Sequence, residues 1–383
     1  MRKLIPILIG LILFTTGCWD KVEIDKRIFI VSMGIDKFEE KQPDSRETEM
    51  FPVLPNRYKI TLAYPNPALI AGEGAGEPKY QIASTGVNIN DIQKNLSTRL
   101  EGEINFDHTK LIVLGEEMAK DEELMREVLD FIERSPEIGR RIHLMITPDK
   151  AEDVLSTEVP QQPILGLFVR DLMNKPDRMA RSADADMGFI LRNLHESSAT
   201  IVPRIISTET DVVVAGAAVL KNFKMVGWLG ELETLYLMFM LDRVDTAVGN
   251  VIVDERIIPI TLSDSKTKMN VYEKGGKIHV SFDVKAEGSI RQHGFQVVGQ
   301  TFDTKYIEQV EKAVEERLEE NITKTYIQIQ EDFGADLIQA GEYLRKREPD
   351  LWESLEDRWE DHFKKSQVEV NVDVKIRRVG VVR

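Results

Sequence analysis

The chain contains a single cysteine, Cys18, and this count limits the kind of fold that it can adopt. Without a second cysteine, no disulfide can form within the chain and no cysteine cluster can hold a structural metal. The fold must therefore be stabilised by apolar burial. With 383 residues, of which 42% are hydrophobic, the chain is long enough for two or three domains, each with its own core.

The segment before Cys18 has the layout of an export signal. A basic pair at positions 2 and 3 is followed by the apolar run Leu4–Phe14, about half the ~20 residues that a membrane span requires. The small residue Gly17 directly precedes the cysteine, as in bacterial lipoprotein precursors. We therefore expect residues 1–17 to be a lipoprotein signal peptide, and Cys18 to be the lipidation site that anchors the chain to membrane lipid.

One position departs from the usual lipoprotein pattern, because Thr15 occupies the place where leucine is common. The alternative is an ordinary signal peptide with an incidental cysteine near its cleavage site. We favour lipidation because the only cysteine of the chain directly follows a run of small residues.

The formal net charge of −15 at pH 7 restricts the partners of the chain. Nucleic-acid binding requires clustered Lys and Arg, so we expect no nucleic-acid partner. Electrostatic adhesion to anionic lipid is disfavoured for the same reason. Attachment to a membrane would then depend on acyl chains, which contribute ~0.8 kcal/mol per buried methylene.

Apolar patterns in the first half predict strands that alternate with helices. Arg27–Asp36 is rich in Ile, Val and Phe and predicts a strand. Thr109–Leu114, Asp121–Arg134 and Arg141–Thr147 read as strand, helix and strand, the order of a βαβ unit with parallel strands. A change of pattern near Pro203 marks a domain boundary.

The second half predicts hairpins and one long helix. Gly275-Gly276 signals a hairpin turn, and Asn250–Thr261 reads as a strand. Leu232–Leu241 is too short for a membrane span and predicts a buried helix. Asp303–Glu331 predicts the long helix, whose apolar stripe and solvated acidic face are formed by Ile307, Val310, Val314, Leu318 and Ile322, and by Glu315, Glu316, Glu319 and Glu320.

These patterns predict a multi-domain α+β fold of mixed sheets and packed helices, with the long helix in the C-terminal domain. The predicted domains comprise residues 18–203 and 204–383. Whether the second region divides further, into 204–262 and 263–383, is left open by the sequence.

A search for catalytic chemistry finds no constellation. The chain has six histidines, no two of them four residues apart, and no HExxH motif. Ser263 and Lys266 have the S-x-x-K spacing but lack the K-T-G and S-D-N elements that accompany it. The glycines of residues 72–78 are bracketed by prolines and indicate a surface loop. We therefore predict no catalytic residue, no cofactor and no metal site.

Three aromatic residues near the end of the chain, Trp352, Trp359 and Phe363, have spacings of seven and four. These spacings predict one face of a terminal helix. Packing onto the C-terminal sheet is the favoured interpretation, and a surface for partner docking is the alternative.

The chain resembles the Ger(x)C family, the C-subunit lipoproteins of spore germinant receptors, over nearly its whole length. The residues that carry this resemblance are Cys18-Trp19-Asp20, Glu23-Ile24, Gly34-Ile35-Asp36, His108, Lys110, the helix ELMREVLDF, Arg134, Arg140, Gly216, the segment KNFKMVGWL, Asp332-Phe333-Gly334, Trp352, Trp359 and Val379-Gly380. No single piece is specific, whereas the ordered set is.

The resemblance implies a non-enzymatic, lipid-anchored subunit of a nutrient receptor that acts with A-type and B-type membrane subunits to trigger germination. It places the chain on the outer face of the cell membrane, which becomes the inner spore membrane, of an endospore-forming bacterium. One alternative is a lipid-anchored solute-binding protein of a transporter, which would show two similar lobes. The other is an anchored envelope enzyme, for which the sequence offers no nucleophile–base pair.

Overall fold

The structure is a computed structural model that describes residues 26–38, 54–66, 69, 76–175, 180–290 and 304–379. These residues form an α+β fold of mixed sheets and packed helices, which confirms the predicted fold class. The fourteen strands found in these ranges are β1 (Arg27–Phe29), β2 (Ser32–Lys37), β3 (Tyr58–Pro65), β4 (Lys79–Gly86), β5 (Glu103–Asn105), β6 (Leu111–Gly115), β7 (His143–Thr147), β8 (Ala199–Ser207), β9 (Val212–Lys221), β10 (Lys224–Leu229), β11 (Thr246–Val253), β12 (Arg256–Lys274), β13 (Lys277–Ile290) and β14 (Gln367–Val379).

The helices within the same ranges are short, with one exception. They are α1 (Ile89–Ser97), α2 (Glu116–Ala119), α3 (Glu122–Arg134), α4 (Ala151–Ser156), α5 (Leu165–Met173), α6 (Met187–Ser197), α7 (Glu231–Met240), α8 (Thr304–Gln328), α9 (Ala340–Arg347), α10 (Pro349–Leu355) and α11 (Trp359–Lys364). A π-helical turn, Ile329–Phe333, follows α8, and a 3₁₀ turn, Glu356–Arg358, separates α10 from α11.

An eight-stranded mixed sheet organises the first part of the molecule, in the order β10-β9-β8-β7-β6-β2-β3-β4. Its central strands β2, β6, β7 and β8 are parallel, and antiparallel pairs flank them on both sides. The predicted βαβ unit is confirmed, since β6 and β7 pair in parallel and α2 and α3 connect them.

The predicted strand Arg27–Asp36 is wrong in extent, because two strands occupy it. β1 pairs with β5, whereas β2 pairs with β3 and β6. Between them the backbone changes neighbours: the Ile30 N–H donates to the carbonyl of Asn105 at 2.9 Å, and the Val31 N–H to that of Ala63 at 3.0 Å. Local apolar content cannot signal a change of pairing partner.

The eight-stranded sheet continues past the predicted domain boundary. Residue 203 lies inside β8, and β9 and β10 pair onto β8 in the same sheet. Residue 262, the second predicted boundary, lies inside β12. The division into 18–203 and 204–383 therefore does not coincide with the division between sheets, and it stays a prediction.

The second sheet has four strands in the order β11-β12-β13-β14, the last of them parallel to β13. Its β12–β13 turn is Gly275-Gly276, as predicted. The predicted strand Asn250–Thr261 is divided by a second turn, in which Asp254 and Glu255 have φ of +50° and +62°. The sequence did not indicate this turn because it lacks the Asn-Gly or Asp-Gly pair that favours this conformation.

The long helix α8 packs on the second sheet through the predicted stripe. Val310, Val314, Leu318 and Ile322 are all buried, as is Tyr326 one turn further on. Burial of each such side chain contributes about 1.5–3 kcal/mol, so this stripe accounts for much of the attachment of α8. Gly334, with φ of +53°, ends the helical segment.

Candidate functional site

The predicted lipidation site, Cys18, lies outside the described residues, and its modification stays a prediction. Among the helices within the described ranges, none combines the length and the apolar character required of a membrane span.

Side chains with catalytic or metal-binding potential are dispersed. In the described ranges, no three His, Cys, Asp or Glu side chains are grouped so that they could hold a metal ion. His279 stacks on Tyr272 with ring centroids 5.4 Å apart, and His108 packs edge-on against Phe29 at 4.7 Å. Ser263 and Lys266 both lie on strand β12, not at a helix start. The S-x-x-K spacing thus lacks the helical context that its catalytic use requires.

The Gly34-Ile35-Asp36 segment attaches helix α4 to strand β2. The buried carboxylate of Asp36 accepts hydrogen bonds from the N–H groups of Ala151, at 2.7 Å, and Glu152, at 3.1 Å. A Cβ atom on Gly34 would lie 3.2 Å from the Cβ of Ala151, so glycine allows the close approach of the helix. Burial raises the pKa of Asp36, against the effect of the two hydrogen bonds. The contacts of this segment are those of a packing motif.

The tryptophans near the end of the chain serve a similar packing role around Asp336. Its buried carboxylate accepts hydrogen bonds from the N–H groups of Ala340, at 2.9 Å, and Gly341, at 2.8 Å, and from Trp359 Nε1 at 3.0 Å. Trp352 packs edge-on against Trp359, with centroids 5.3 Å apart. A Cβ on Gly341 would lie 2.8 Å from Trp359 Nε1. These contacts favour the packing interpretation.

The prediction that one terminal helix carries Trp352, Trp359 and Phe363 is wrong. Trp352 lies in α10, whereas Trp359 and Phe363 lie in α11, beyond the 3₁₀ turn. Helical spacing was preserved across the break, and for this reason the periodicity did not indicate it.

One edge of the second sheet is covered by carboxylates of helix α8. Along β14, three backbone N–H groups point away from β13. They donate to Glu311 Oε1 from Ile376 at 2.8 Å, to Glu315 Oε1 from Val374 at 2.9 Å, and to Glu319 Oε1 from Val372 at 3.1 Å. Four helical residues rise about 6.0 Å and two strand residues about 6.6 Å, so the two rows stay in register over this length.

The prediction that Glu315 and Glu319 lie on a solvated face is therefore wrong. Both are partly buried against β14, whereas Glu316 and Glu320 are exposed as predicted. The spacing of four shared by Glu311, Glu315 and Glu319 was a readable signal. The strand that this row contacts, β14, could not be predicted from the spacing, because it lies 53 to 65 residues further along the chain.

The opposite edge of the same sheet, formed by β11, carries no such glutamate row among the described residues, although the outward-facing Thr246 carbonyl accepts a hydrogen bond from the Ala180 N–H at 3.3 Å. Val253 and Arg256 close the two-residue turn, so the backbone groups of Val248, Asn250 and Ile252 point away from β12. No described backbone group pairs with these three residues. Ile252 is 71% exposed, and its cross-strand neighbour Ile257 is 69% exposed. An apolar cavity of about 280 Å³ lies beside this edge, between β11, α7 and α8.

A larger cleft, of about 710 Å³, lies where the chain enters β7 and α6 begins. Its charged lining residues are Arg140, Arg141, Asp184, Asp186, Arg192 and Arg243. Its members come from four separate segments, so no local sequence pattern indicated this cluster.

Comparison with known proteins identifies the family to which this fold and its sequence motifs belong. The crystal structure of the GerBC protein superposes on this chain with a TM-score of 0.60 at 20% sequence identity, covering 89% of this chain and 99% of that chain. The model of the spore germination protein N-terminal domain matches residues 20–207. The family model of the spore germination B3/GerAC-like C-terminal region matches residues 215–380. The chain belongs to the Ger(x)C family of spore germination proteins.

Curated relatives from Bacillus subtilis (strain 168) match along nearly their whole length. Spore germination protein YndF is 24% identical, with coverage of 97% of this chain and 95% of the relative. Spore germination protein B3 is 22% identical, with 97% and 96% covered. Spore germination protein KC is 23% identical, with 95% and 92% covered. The resemblance read from the sequence is therefore confirmed.

Proposed function

We propose that this chain is a lipid-anchored, non-enzymatic subunit of a spore nutrient germinant receptor. It acts with A-type and B-type membrane subunits to trigger germination, from the outer face of the membrane that surrounds the spore core. The observation that carries the proposal is the match of both family models, which together extend from residue 20 to residue 380. The curated relatives, named as spore germination proteins, support the same role.

The described architecture gives the solute-binding alternative no support. A transporter-type binding protein would show two similar lobes, whereas the two large sheets here have eight and four strands and different orders. We further propose that residues 18–203 and 204–383 are the two domains of the subunit. The separate family matches, to 20–207 and 215–380, support this division.

Anchoring through Cys18 can be tested by fractionation. We expect Cys18→Ala to leave the protein out of the membrane fraction, because the only acylation site is removed. Thr15→Leu is the matched control: it restores the residue common at that position and should keep wild-type anchoring. Membrane retention of Cys18→Ala at the wild-type level would contradict the lipoprotein proposal.

The receptor assignment can be tested by extraction of the wild-type protein from dormant spores in mild detergent. We expect two integral membrane subunits to co-purify with it. Recovery as a solitary monomer would contradict the assignment, even if anchoring through Cys18 were established.

A further inference from the structure

The arginine-lined cleft has the dimensions of a ligand site. Its volume of about 710 Å³ lies within the range of roughly 300–1,000 Å³ typical of small-molecule pockets. Arg140 and Arg141 come from the segment before β7, Arg192 from α6, and Arg243 from the segment after α7. Such convergence of elements distant in sequence is typical of binding pockets.

The cleft is positive in a chain that is strongly negative overall. Four arginines line it, against two aspartates. Asp186 Oδ1 accepts a hydrogen bond from the Phe189 N–H at 2.8 Å, at the start of α6. Asp184 Oδ2 lies 3.6 Å from Arg243 Nη1. Both carboxylates therefore have protein partners and leave an excess of guanidinium charge.

The guanidinium of Arg243 is held in place before any ligand arrives. It lies over the ring of Phe189, 4.1 Å from the centroid, and donates to the backbone carbonyl of Asp184. The guanidinium of Arg192 lies 5.9 Å from the same ring. Burial lowers the pKa of Arg243, and the neighbouring charge of Arg192 acts in the same direction, whereas the charges of Asp184 and Asp186 oppose it. Two like charges gathered around one ring are stabilised by an anion bound between them.

Two of the guanidinium groups remain available. Arg140 lies 3.6 Å from Glu133, but neither Arg141 nor Arg192 forms an ion pair within the part of the chain that the structure describes. Planar guanidinium groups present paired donors that match the two oxygens of a carboxylate or phosphate.

We propose that this cleft binds an oxyanion, the carboxylate or phosphate group of a small ligand, through Arg141, Arg192 and Arg243. Arg243 provides a fixed donor on the Phe189 ring, and the two exposed arginines complete the coordination. The inference does not depend on the receptor assignment, because it rests on the charge and geometry of the cleft alone.

The test is calorimetric titration of the full-length protein in detergent with inorganic phosphate and, separately, with citrate, at ionic strength held constant with sodium chloride. We expect saturable binding of at least one anion. Arg141→Ala/Arg192→Ala should weaken it at least tenfold, and Arg192→Lys should weaken it in part, since lysine keeps the charge but lacks the paired donors.

The matched control is Arg134→Ala/Arg377→Ala, which removes the same charge from exposed positions outside the cleft. Equal weakening by the two double variants would overturn the proposal, because the effect would then be one of net charge.

A third arm uses vesicles of phosphatidylcholine with and without phosphatidylglycerol. Vesicle binding that requires phosphatidylglycerol and Arg192, without binding of free anions, would support the site and assign its oxyanion to a lipid headgroup. Absence of binding in all three arms would overturn it.

Discussion

The two edges of the four-stranded sheet differ in the hydrogen-bond partners of their outward-facing backbone groups. On β14, three N–H groups that point away from the sheet are bonded to Glu311, Glu315 and Glu319 of α8. On β11, the corresponding groups of Val248, Asn250 and Ile252 have no backbone partner among the described residues. Among the described residues, the glutamates of this helix bond the backbone of one edge and bond no backbone group of the other.

The difference shows that edge protection here is specific and not a general property of the domain. Proteins usually guard an exposed edge with charged residues, proline or a bulge, since open backbone groups invite pairing with another chain. β11, with the sequence TAVGNVIV, has no charged residue and no proline. The protected edge has side-chain acceptors in place of a neighbouring strand.

The largest expected effect is that of removing the whole glutamate row. Glu311→Ala/Glu315→Ala/Glu319→Ala should lower the free energy of unfolding by about 3 kcal/mol, at roughly 1 kcal/mol for each hydrogen bond. Urea denaturation measures this loss. The control is Glu308→Ala/Glu316→Ala/Glu320→Ala, which removes three exposed carboxylates from the same helix. Equal losses in the two triple variants would show that helix charge, and not the β14 edge, is responsible.

A pair of proline substitutions compares the edges directly. Val372→Pro removes the N–H that donates to Glu319 and should lower the free energy of unfolding by more than about 1 kcal/mol. Asn250→Pro removes an N–H that has no backbone partner among the described residues and should lower it by less. Urea denaturation of both variants gives the difference. Val372→Ala separates the loss of side-chain packing from the loss of the N–H. Equal decreases in the free energy of unfolding for the two proline variants would contradict the proposed difference between the edges.

A smaller effect is expected when only the charge of the central acceptor is removed. Glu315→Gln keeps an acceptor oxygen for the Val374 N–H. It should therefore lower the free energy of unfolding by about 0.5 kcal/mol, roughly half the decrease expected for Glu315→Ala. The measurement is again denaturation, at low and at high salt. If the glutamine variant were as unstable as the alanine variant, charge alone would account for the interaction.

The smallest effect is expected at the open edge. Ile252→Lys should change the free energy of unfolding by no more than about 0.5 kcal/mol, because the side chain is 71% exposed. Val251→Lys, on the buried face of the same strand, is the contrasting variant and should be strongly destabilising. A loss above 1 kcal/mol for Ile252→Lys would mean that this edge is covered in the native protein.

Local patterns allowed the second sheet to be predicted in large part. The stripe Val310, Val314, Leu318 and Ile322 has helical period, and Gly275-Gly276 has the composition of its turn, so both were readable from neighbouring residues. The turn at Asp254 and Glu255 was not, because glutamate has no local preference for the left-handed φ that Glu255 adopts there.

The candidate sites depend on contacts between distant segments, which periodicity cannot reveal. Glu315 accepts a hydrogen bond from Val374 across 59 residues, and Arg141 and Arg243 line one cleft formed by four segments. The family motif Gly34-Ile35-Asp36 could be recognised in the sequence, whereas the contact by which Asp36 holds helix α4 could not, because Ala151 lies 115 residues further along the chain. Recognisable residues therefore identified the family, whereas the cleft had to be found in three dimensions.

The glutamate row also constrains how this family can vary in length. A single-residue deletion between Glu311 and Glu319 would rotate one part of the helix by about 100° relative to the other and separate at least one carboxylate from β14. A one-residue deletion within 372–376 would turn alternate side chains to the wrong face. By contrast, a change in length at the exposed turn Glu356–Arg358, between α8 and β14, leaves the register within both segments unaltered. Relatives that retain the row should therefore align without gaps through both segments and collect their insertions between them.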